Sequence, residues 1–330
     1  MRRDNFEQLP YLDVLLNKVF AYYATIWMDR RIEGVHKNWL ENFSHAEENE
    51  QSKERLNSIY LLTKFMYFGN IELRELLKCL YRDHFKYEII KKIRRANSDT
   101  MDSNLLETSF QEELEQTRFL GVGNPSESGV HLLYYFRQEN ELPKKYFLNT
   151  HEIFKQVEEQ HLVDGAIETI LKTDLANNKI KRYIFIDDFC VSGTQGKEYS
   201  KDIVTNIKKL NSTVEVDYLM LFGTEEGIKE VKTHTQFNLV KSIFTIDKSF
   251  KCFSENSRIY SSNGVAEISK DFFKEACCRY GKKINPNHPL GYKDGQLLLG
   301  LFHNTPDNTL PIFWADKSKW FPIFKRYPKI

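Results

Sequence analysis

Residues 183–200 read YIFIDDFCVSGTQGKEYS. An apolar run from Tyr183 to Ile186 leads into two adjacent acids, Asp187 and Asp188. A short loop with Ser192, Gly193 and Thr194 follows, and then Gln195 and Gly196 open an amphipathic stretch. The run has the character of a buried strand, and the stretch from residue 197 that of a helix. In an open α/β sheet, ligands bind at the carboxyl ends of the strands. A turn into a helix N-terminus offers free N–H groups and the positive end of the helix dipole, which suit a phosphate. Glycine at 193 allows the backbone to approach such an anion closely. Acids just before the loop can accept hydrogen bonds from sugar hydroxyls or hold Mg²⁺. The same residues also suit a plain strand end whose acids cap the next helix.

The elements that must position these groups are legible as a change of texture along the chain. Residues 10–95 carry apolar residues at three and four spacing and read as helices. ANSDTMDSN at 96–104 is dense in turn-forming residues and marks a break. Beyond residue 115, short apolar runs at 117–123, 144–150, 182–188, 214–223 and 240–247 read as strands. The segments 130–142, 161–178, 197–210 and 224–234 read as helices between them. Such alternation with short connections predicts a mostly parallel sheet flanked by helices, an α/β fold. The expected organisation is a helical N-terminal region (1–112), an α/β core (113–281) and a Pro- and aromatic-rich C-terminal hood (282–330) over the sheet's edge.

Composition excludes several classes. Lys and Arg number 47 against 46 Asp and Glu, so bulk positive charge does not hold this chain to nucleic acid. No run approaches the roughly 18 apolar residues of a membrane span, so no membrane role is expected. The start, MRRDNFEQLP, lacks the apolar stretch of a signal peptide. The 5 cysteines are scattered without a CxxC pair, which argues against a zinc knuckle or a disulfide scaffold and for a reduced, cytoplasmic protein.

At YIFI-DD-FC-VSGTQ the chain resembles the phosphoribosyl pyrophosphate (PRPP) binding loop of type I phosphoribosyltransferases. The resemblance implies that Asp187 and Asp188 bind the ribose hydroxyls, with Mg²⁺ as cofactor, and that the loop 192–196 wraps the 5′-phosphate. Val191 and Gln195 depart from the pattern, where hydroxyl residues are common. It implies further that the loop GVGNPSESGVH (121–131) holds pyrophosphate through Gly123, Ser126, Ser128 and Gly129. An ordinary strand–helix loop with Ser126 or Ser128 as N-cap explains the same residues.

Over roughly two thirds of its length the chain is similar to phosphoribosyltransferase-like proteins of bacterial conflict, or anti-phage, systems, some encoded beside retron reverse transcriptases. The similarity rests on GxGNPSxSG, FIDDFxxSG and LGY…FxxNTPxNTLPIFW. It implies a hood that places Asn304, Thr305, Asn308 and Thr309 near a base or leaving group; turn stabilisation accounts for the same residues. The implied function is an effector acting at the anomeric carbon of PRPP or a nucleotide to arrest growth. The alternatives are an N-glycosidase that depletes a cofactor pool and a catalytically degenerate nucleotide-binding scaffold. Implied partners are the ribosyl-phosphate compound, a retron reverse transcriptase with its RNA or DNA docked on residues 1–112, and further copies in an oligomer.

Overall fold

The computed structural model describes residues 9, 11–28, 35–123, 128–163, 166–260 and 265–327. Two compact units divide the chain: Arg74–Ile246 is one, and Met1–Leu73 together with Asp247–Ile330 is the other.

The discontinuous unit begins with α1 (Leu12–Ala24), α2 (Val35–Glu41), α3 (Glu48–Leu62) and the short strand β1 (Met66–Phe68). Its later elements are α11 (Lys270–Ile284), β8 (Leu299–Leu301) and α12 (Pro311–Trp314). β1 and β8 pair in parallel, Tyr67 opposite Gly300. Early and late segments share one core: Trp39, Phe43 and Phe65 pack with Phe273, Phe313 and Phe324. The Trp39 indole donates to the Ile312 carbonyl at 2.7 Å. Glu54, fully buried, accepts a hydrogen bond from Tyr280 at 2.5 Å and pairs with Arg279.

The continuous unit receives most of α4 (Asn70–Tyr81), then a π turn (Arg82–Lys86), α5 (Tyr87–Ala96) and α6 (Ser103–Glu115). The Asp102 carboxylate caps α6 by accepting from the N–H groups of Asn104 and Leu105. Strand β2 (Thr117–Gly121) and helix α7 (Ser128–Glu139) follow. Next come β3 (Phe154–Val163), β4 (Ala166–Leu175) and β5 (Arg182–Cys190). The unit closes with α8 (Thr194–Tyr199), α9 (Thr205–Leu210), β6 (Glu215–Thr224), α10 (Glu225–His234) and β7 (Leu239–Ile246). A four-stranded sheet runs β2-β5-β6-β7, with every pairing parallel. Leu120, Phe185, Tyr218 and Met220 pack with Val204, Ile207 and Val231 from α9, α10 and the turn before α9. On the other face Phe119 meets Phe85 and Phe136 at ring separations of 5.3 and 5.2 Å. Helices on both faces of a parallel sheet make this an α/β fold, as the alternation predicts.

Three local expectations are corrected. Residues 161–178, read as a helix, belong to an antiparallel hairpin of β3 and β4, paired from Phe154–Leu175 to Val163–Ala166. Its outward Ile167 and Leu171 are more than two-thirds exposed, and that scatter of apolar residues mimicked helical spacing. The helical reading of 58–69 breaks at Leu62, because Met66–Phe68 is drawn into the ladder with β8. The strand read at 144–150 is a 3₁₀ turn (Lys144–Tyr146) with a single bridge from Phe147 to Phe119. The compact units also cut the chain differently from a division at 112 and 281. The N-terminal helices find their apolar partners in the C-terminal segment, and α5 and α6 find theirs on the sheet.

This packing predicts how fragments behave. A fragment spanning 74–246 should melt cooperatively by circular dichroism, because it keeps its whole core. A fragment spanning 113–281 loses Phe85 and Phe110 from a cluster in which both are at most 2% exposed, and should show no cooperative transition. Within the full chain, Phe85→Ala should cost about 3–5 kcal/mol by denaturant titration.

Candidate functional site

β5 lies inside the sheet, between β2 and β6, and its burial pattern changes at its carboxyl end. Tyr183 to Ile186 are buried, as the apolar run requires, and so is Asp187, 2% exposed. Asp188 is half-buried. Successive strand residues point to opposite faces, so the two carboxyls do not present themselves equally. Both Asp187 oxygens are engaged inside the protein. Oδ1 accepts from the Asp188 backbone N–H at 2.9 Å, and Oδ2 accepts from the Tyr218 hydroxyl on β6 at 2.6 Å. Burial, and then the neighbouring Asp188, push the Asp187 carboxyl well above the usual range, against the pull of the Tyr218 hydrogen bond. Burial, and then Asp187, likewise hold the Tyr218 hydroxyl protonated, well above the usual phenol range. The Cys190 thiol is pushed up to about 12, mostly by burial and next by Asp187, so it is not a nucleophile at neutral pH.

The loop after β5 is held from beneath. Gly193 has φ +69°, a left-handed conformation that favours glycine, and it caps α8. The Ser192 and Thr194 hydroxyls lie 2.9 Å apart at the start of that helix. Thr224 Oγ1, where β6 passes into α10, donates to the Val191 carbonyl at 2.5 Å and accepts from the Gly227 N–H at 2.9 Å. A Cβ at Gly227 would overlap the Val191 carbonyl. Gly196 is buried, and a Cβ there would lie 2.9 Å from the Tyr218 ring. The same tyrosine thus supports the loop through its ring and Asp187 through its hydroxyl. α8 then runs through a π turn (Ser200–Val204) into α9.

The loop after β2 reaches the same end of the sheet. The Val122 N–H donates to the Ile186 carbonyl at 3.0 Å, and the Gly123 carbonyl accepts from the Tyr199 hydroxyl at 3.2 Å. Gly129 is buried at the start of α7, where a Cβ would overlap the Val122 carbonyl, so this glycine is needed for close packing of α7 on β2. Ser126 lies outside the described residues, and Ser128 opens α7. Gly123 and Gly129 therefore stand with Asp187, Asp188 and residues 192–196 in one unit.

Asn304, Thr305, Asn308 and Thr309 belong to the other unit, where their polar atoms serve turns. Thr305 Oγ1 donates to the Phe324 carbonyl at 2.9 Å and Thr309 Oγ1 to the Leu299 carbonyl at 2.6 Å, both fully buried. Asn308 Nδ2 donates to the Tyr292 carbonyl at 2.9 Å. Asn304 Oδ1 accepts from the N–H groups of Thr305 and Tyr327. These bonds give the four residues a structural role in that unit.

Among the described residues no three His, Cys, Asp or Glu side chains converge as a metal cage. The acid pair suits a cation held mainly by substrate oxygens, as Mg²⁺ often is. Both Asp187 oxygens carry hydrogen bonds inside the protein, and the half-buried Asp188 carboxyl stands beside them. Sequence reasoning missed Tyr218, Thr224 and Gly227. The signal for Tyr218 was a phenol at the head of the apolar run YLMLF (218–222), one strand away from a buried acid.

The PRTase-CE family model matches residues 36–326. No curated protein matches the chain. Among solved structures, the chain is similar to a hypothetical protein from Neisseria gonorrhoeae with bound ppGpp: 10% identity, 56% of this chain and 85% of that one, TM-score 0.27. It is similar to xanthine-guanine-hypoxanthine phosphoribosyltransferase from Helicobacter pylori: 10% identity, 43% and 88%, TM-score 0.22. It is also similar to adenine phosphoribosyl transferase from Trypanosoma brucei in complex with AMP, pyrophosphate and ribose-5-phosphate: 15% identity, 40% and 56%, TM-score 0.24.

The acid pair makes two predictions. A carboxyl whose folded pKa is raised binds its proton more tightly in the native state. Its contribution to stability is complete below the unfolded pKa and is lost as pH rises through the folded one. Asp187→Asn removes that loss, and its amide still bonds both Tyr218 and the Asp188 N–H. Thermal melts from pH 5 to 8 should therefore show the variant gaining on wild type as pH rises. Tyr218→Phe does the opposite. It strips a donor from a buried carboxyl and should cost about 1–3 kcal/mol, most at high pH, where the charged form needs it.

Proposed function

This chain belongs to the PRTase-CE family, a phosphoribosyltransferase-like group, and on that premise we propose that it binds a ribosyl-phosphate compound at the carboxyl end of β5. Its chemistry there is cleavage or transfer at the anomeric carbon. The observation that carries the reading is the buried Asp187, which has hydrogen-bond donors but no cationic partner among the described residues. At the amino end of the same strand, Arg182 neutralises Glu215 and the buried Asp217 at 2.5 and 3.1 Å. An acid kept without a counter-charge costs stability, and such groups concentrate at functional sites.

Asp188 accepts hydrogen bonds from the ribose hydroxyls, and Asp187 fixes its position through the shared backbone turn. The loop 192–196 offers backbone N–H groups and the Ser192 and Thr194 hydroxyls to the 5′-phosphate, and Gly123 lies beside it for a pyrophosphate. Asp188 would help hold Mg²⁺, which would supply charge neutralisation for a departing pyrophosphate. Charge develops on the ribose ring as the bond to the leaving group breaks. Positioning and electrostatics stabilise that state, and no nucleophilic side chain is required. Water as the acceptor makes the same site an N-glycosidase. A non-catalytic nucleotide-binding scaffold is the second reading, and the sealed Asp187 with apolar Val191 in the loop favours it. The sequence resemblance to conflict-system effectors supports a defence role, with growth arrest as the output and a retron reverse transcriptase as partner.

Metabolite mass spectrometry after induction tests the proposal. Wild type should deplete a nucleotide or ribosyl-phosphate pool, and Asp187→Asn/Asp188→Asn at matched expression should not. Asp188→Asn alone removes charge-assisted hydrogen bonds of roughly 1.5–3 kcal/mol and should slow depletion by about one to two powers of ten. Depletion at full rate in the double variant would refute the site. Unchanged pools with wild-type growth arrest would establish the scaffold reading.

A further inference from the structure

The hairpin of β3 and β4 stands outside the four-stranded sheet, and the chemistry above makes no use of it. Its register runs from Phe154–Leu175 to Val163–Ala166 without a bulge, and Leu175 at its base is buried in the core of the unit. Among the described residues no backbone hydrogen bond joins 166–174 to any element but β3. Just below the ladder the Ala176 N–H donates to the Ile153 carbonyl at 2.9 Å. Antiparallel alternation from that pair turns the backbone groups of even-numbered β4 residues toward β3, and those of Ile167, Thr169, Leu171 and Thr173 outward. Ile167, Ile170 and Leu171 on this strand are exposed. A two-stranded hairpin is marginally stable in water, and an open edge beside apolar side chains is a template for another strand.

The sequence of β4, AIETILKTDL, fits a second copy of itself. A two-fold axis normal to a sheet keeps each face on its own side, so an antiparallel self-pairing centres on one residue. Centring on Glu168 or Lys172 sets a charge against itself. Centring on Leu171 sets Glu168 against Asp174, and centring on Thr169 sets Glu168 against Ile170. Centring on Ile170 sets Glu168 against Lys172 on both sides of the axis, and Ile170 against Ile170. Leu171 then meets Thr169, and Ile167 meets Thr173, pairs that suit a sheet. In that register the outward backbone groups of 167 and 173, and of 169 and 171, bond to each other. The central isoleucines form a non-hydrogen-bonded pair, where side chains come closest. Lys172 has Glu159 of its own β3 at 3.3 Å, and both side chains are largely exposed, so its ammonium would stand between two carboxylates on one face.

We propose that the outer edge of β4 is a self-association surface, through which two copies of this chain join antiparallel about Ile170 as one four-stranded sheet. The joined hairpins cover each other's open edge and shield the exposed aliphatic side chains.

Sedimentation velocity on the full chain tests this. Wild type should pass from monomer to dimer mass as its concentration rises to about 100 µM, because a contact between two strands is a small interface. Lys172→Glu and Glu168→Lys each set like charges opposite one another and should weaken self-association about tenfold. Mixed in equal amounts, the two variants should associate with each other at close to wild-type strength, because both cross-strand pairs are then of opposite charge. Circular dichroism melts that match wild type show that each variant folds. Ile170→Cys should cross-link to itself under mild copper–phenanthroline oxidation, and Gln160→Cys on β3 should give no more cross-linking than wild type. A wild type that stays monomeric to about 100 µM, single variants that associate as wild type does, or a mixture no stronger than either variant alone would each overturn the proposal.

Discussion

A carboxyl group removed from water beside a second carboxyl is among the more costly arrangements a sheet can hold, and the carboxyl end of β5 is organised around it. Asp187 tolerates burial because Tyr218 and the Asp188 N–H each supply one of its oxygens with a donor. The Tyr218 donor exists only if β6 lies beside β5 in the observed register, with Asp187 level with Met220 and Tyr218 two residue pairs below, level with Phe185. A slip by one residue would turn the phenol to the opposite face. The charge arrangement and the strand register are thus one constraint.

The loop that follows inherits its shape from the same contacts. Gly196 brings α8 against the Tyr218 ring, and Gly227 brings the N-terminus of α10 against the Val191 carbonyl. Thr224 satisfies that carbonyl with its hydroxyl. The loop takes its rigidity from side chains and carbonyls beneath it. Here β6 and α10 provide that support, and Tyr199 ties in the loop after β2 from the side.

The parallel core was legible because its strands are continuous apolar runs and its helices keep a clear period, as in Arg182–Cys190 and Glu225–His234. The placement of the acid pair at the end of an inner parallel strand and of Gly193 before a helix was legible because an apolar run, acids, glycine and an amphipathic stretch follow in that order. The hairpin Phe154–Leu175 was not. Its strands are polar on much of both faces, and apolar Ile167, Ile170 and Leu171 fall at helical spacing by coincidence. Asp164–Gly165, a dipeptide that favours tight hairpin turns, was the overlooked sign. Tyr218 escaped because its importance is a pairing across strands, which a single stretch of sequence does not display. For Asn304, Thr305, Asn308 and Thr309 the sequence suits a ligand and a turn equally, and the hydrogen bonds they make are those of turns.

The division of the chain has its own consequence. The discontinuous unit closes its core with contacts between residues far apart in sequence, such as Trp39 with Ile312 and Glu54 with Tyr280. Between them in sequence lies the whole of Arg74–Ile246, a compact unit of its own. Closing a loop that long is entropically unfavourable, although the cost grows only with the logarithm of length. Once the inserted unit has folded, the flexible loop becomes a tether of fixed span, and much of that cost has already been met by contacts inside the insertion. Contacts inside Arg74–Ile246 therefore lower the entropic cost of closing the aromatic core around Trp39 and Phe313. The donors to Asp187, the glycines beneath the loop and the Thr224 clamp all come from within Arg74–Ile246, so the burial of that acid is satisfied inside the inserted unit.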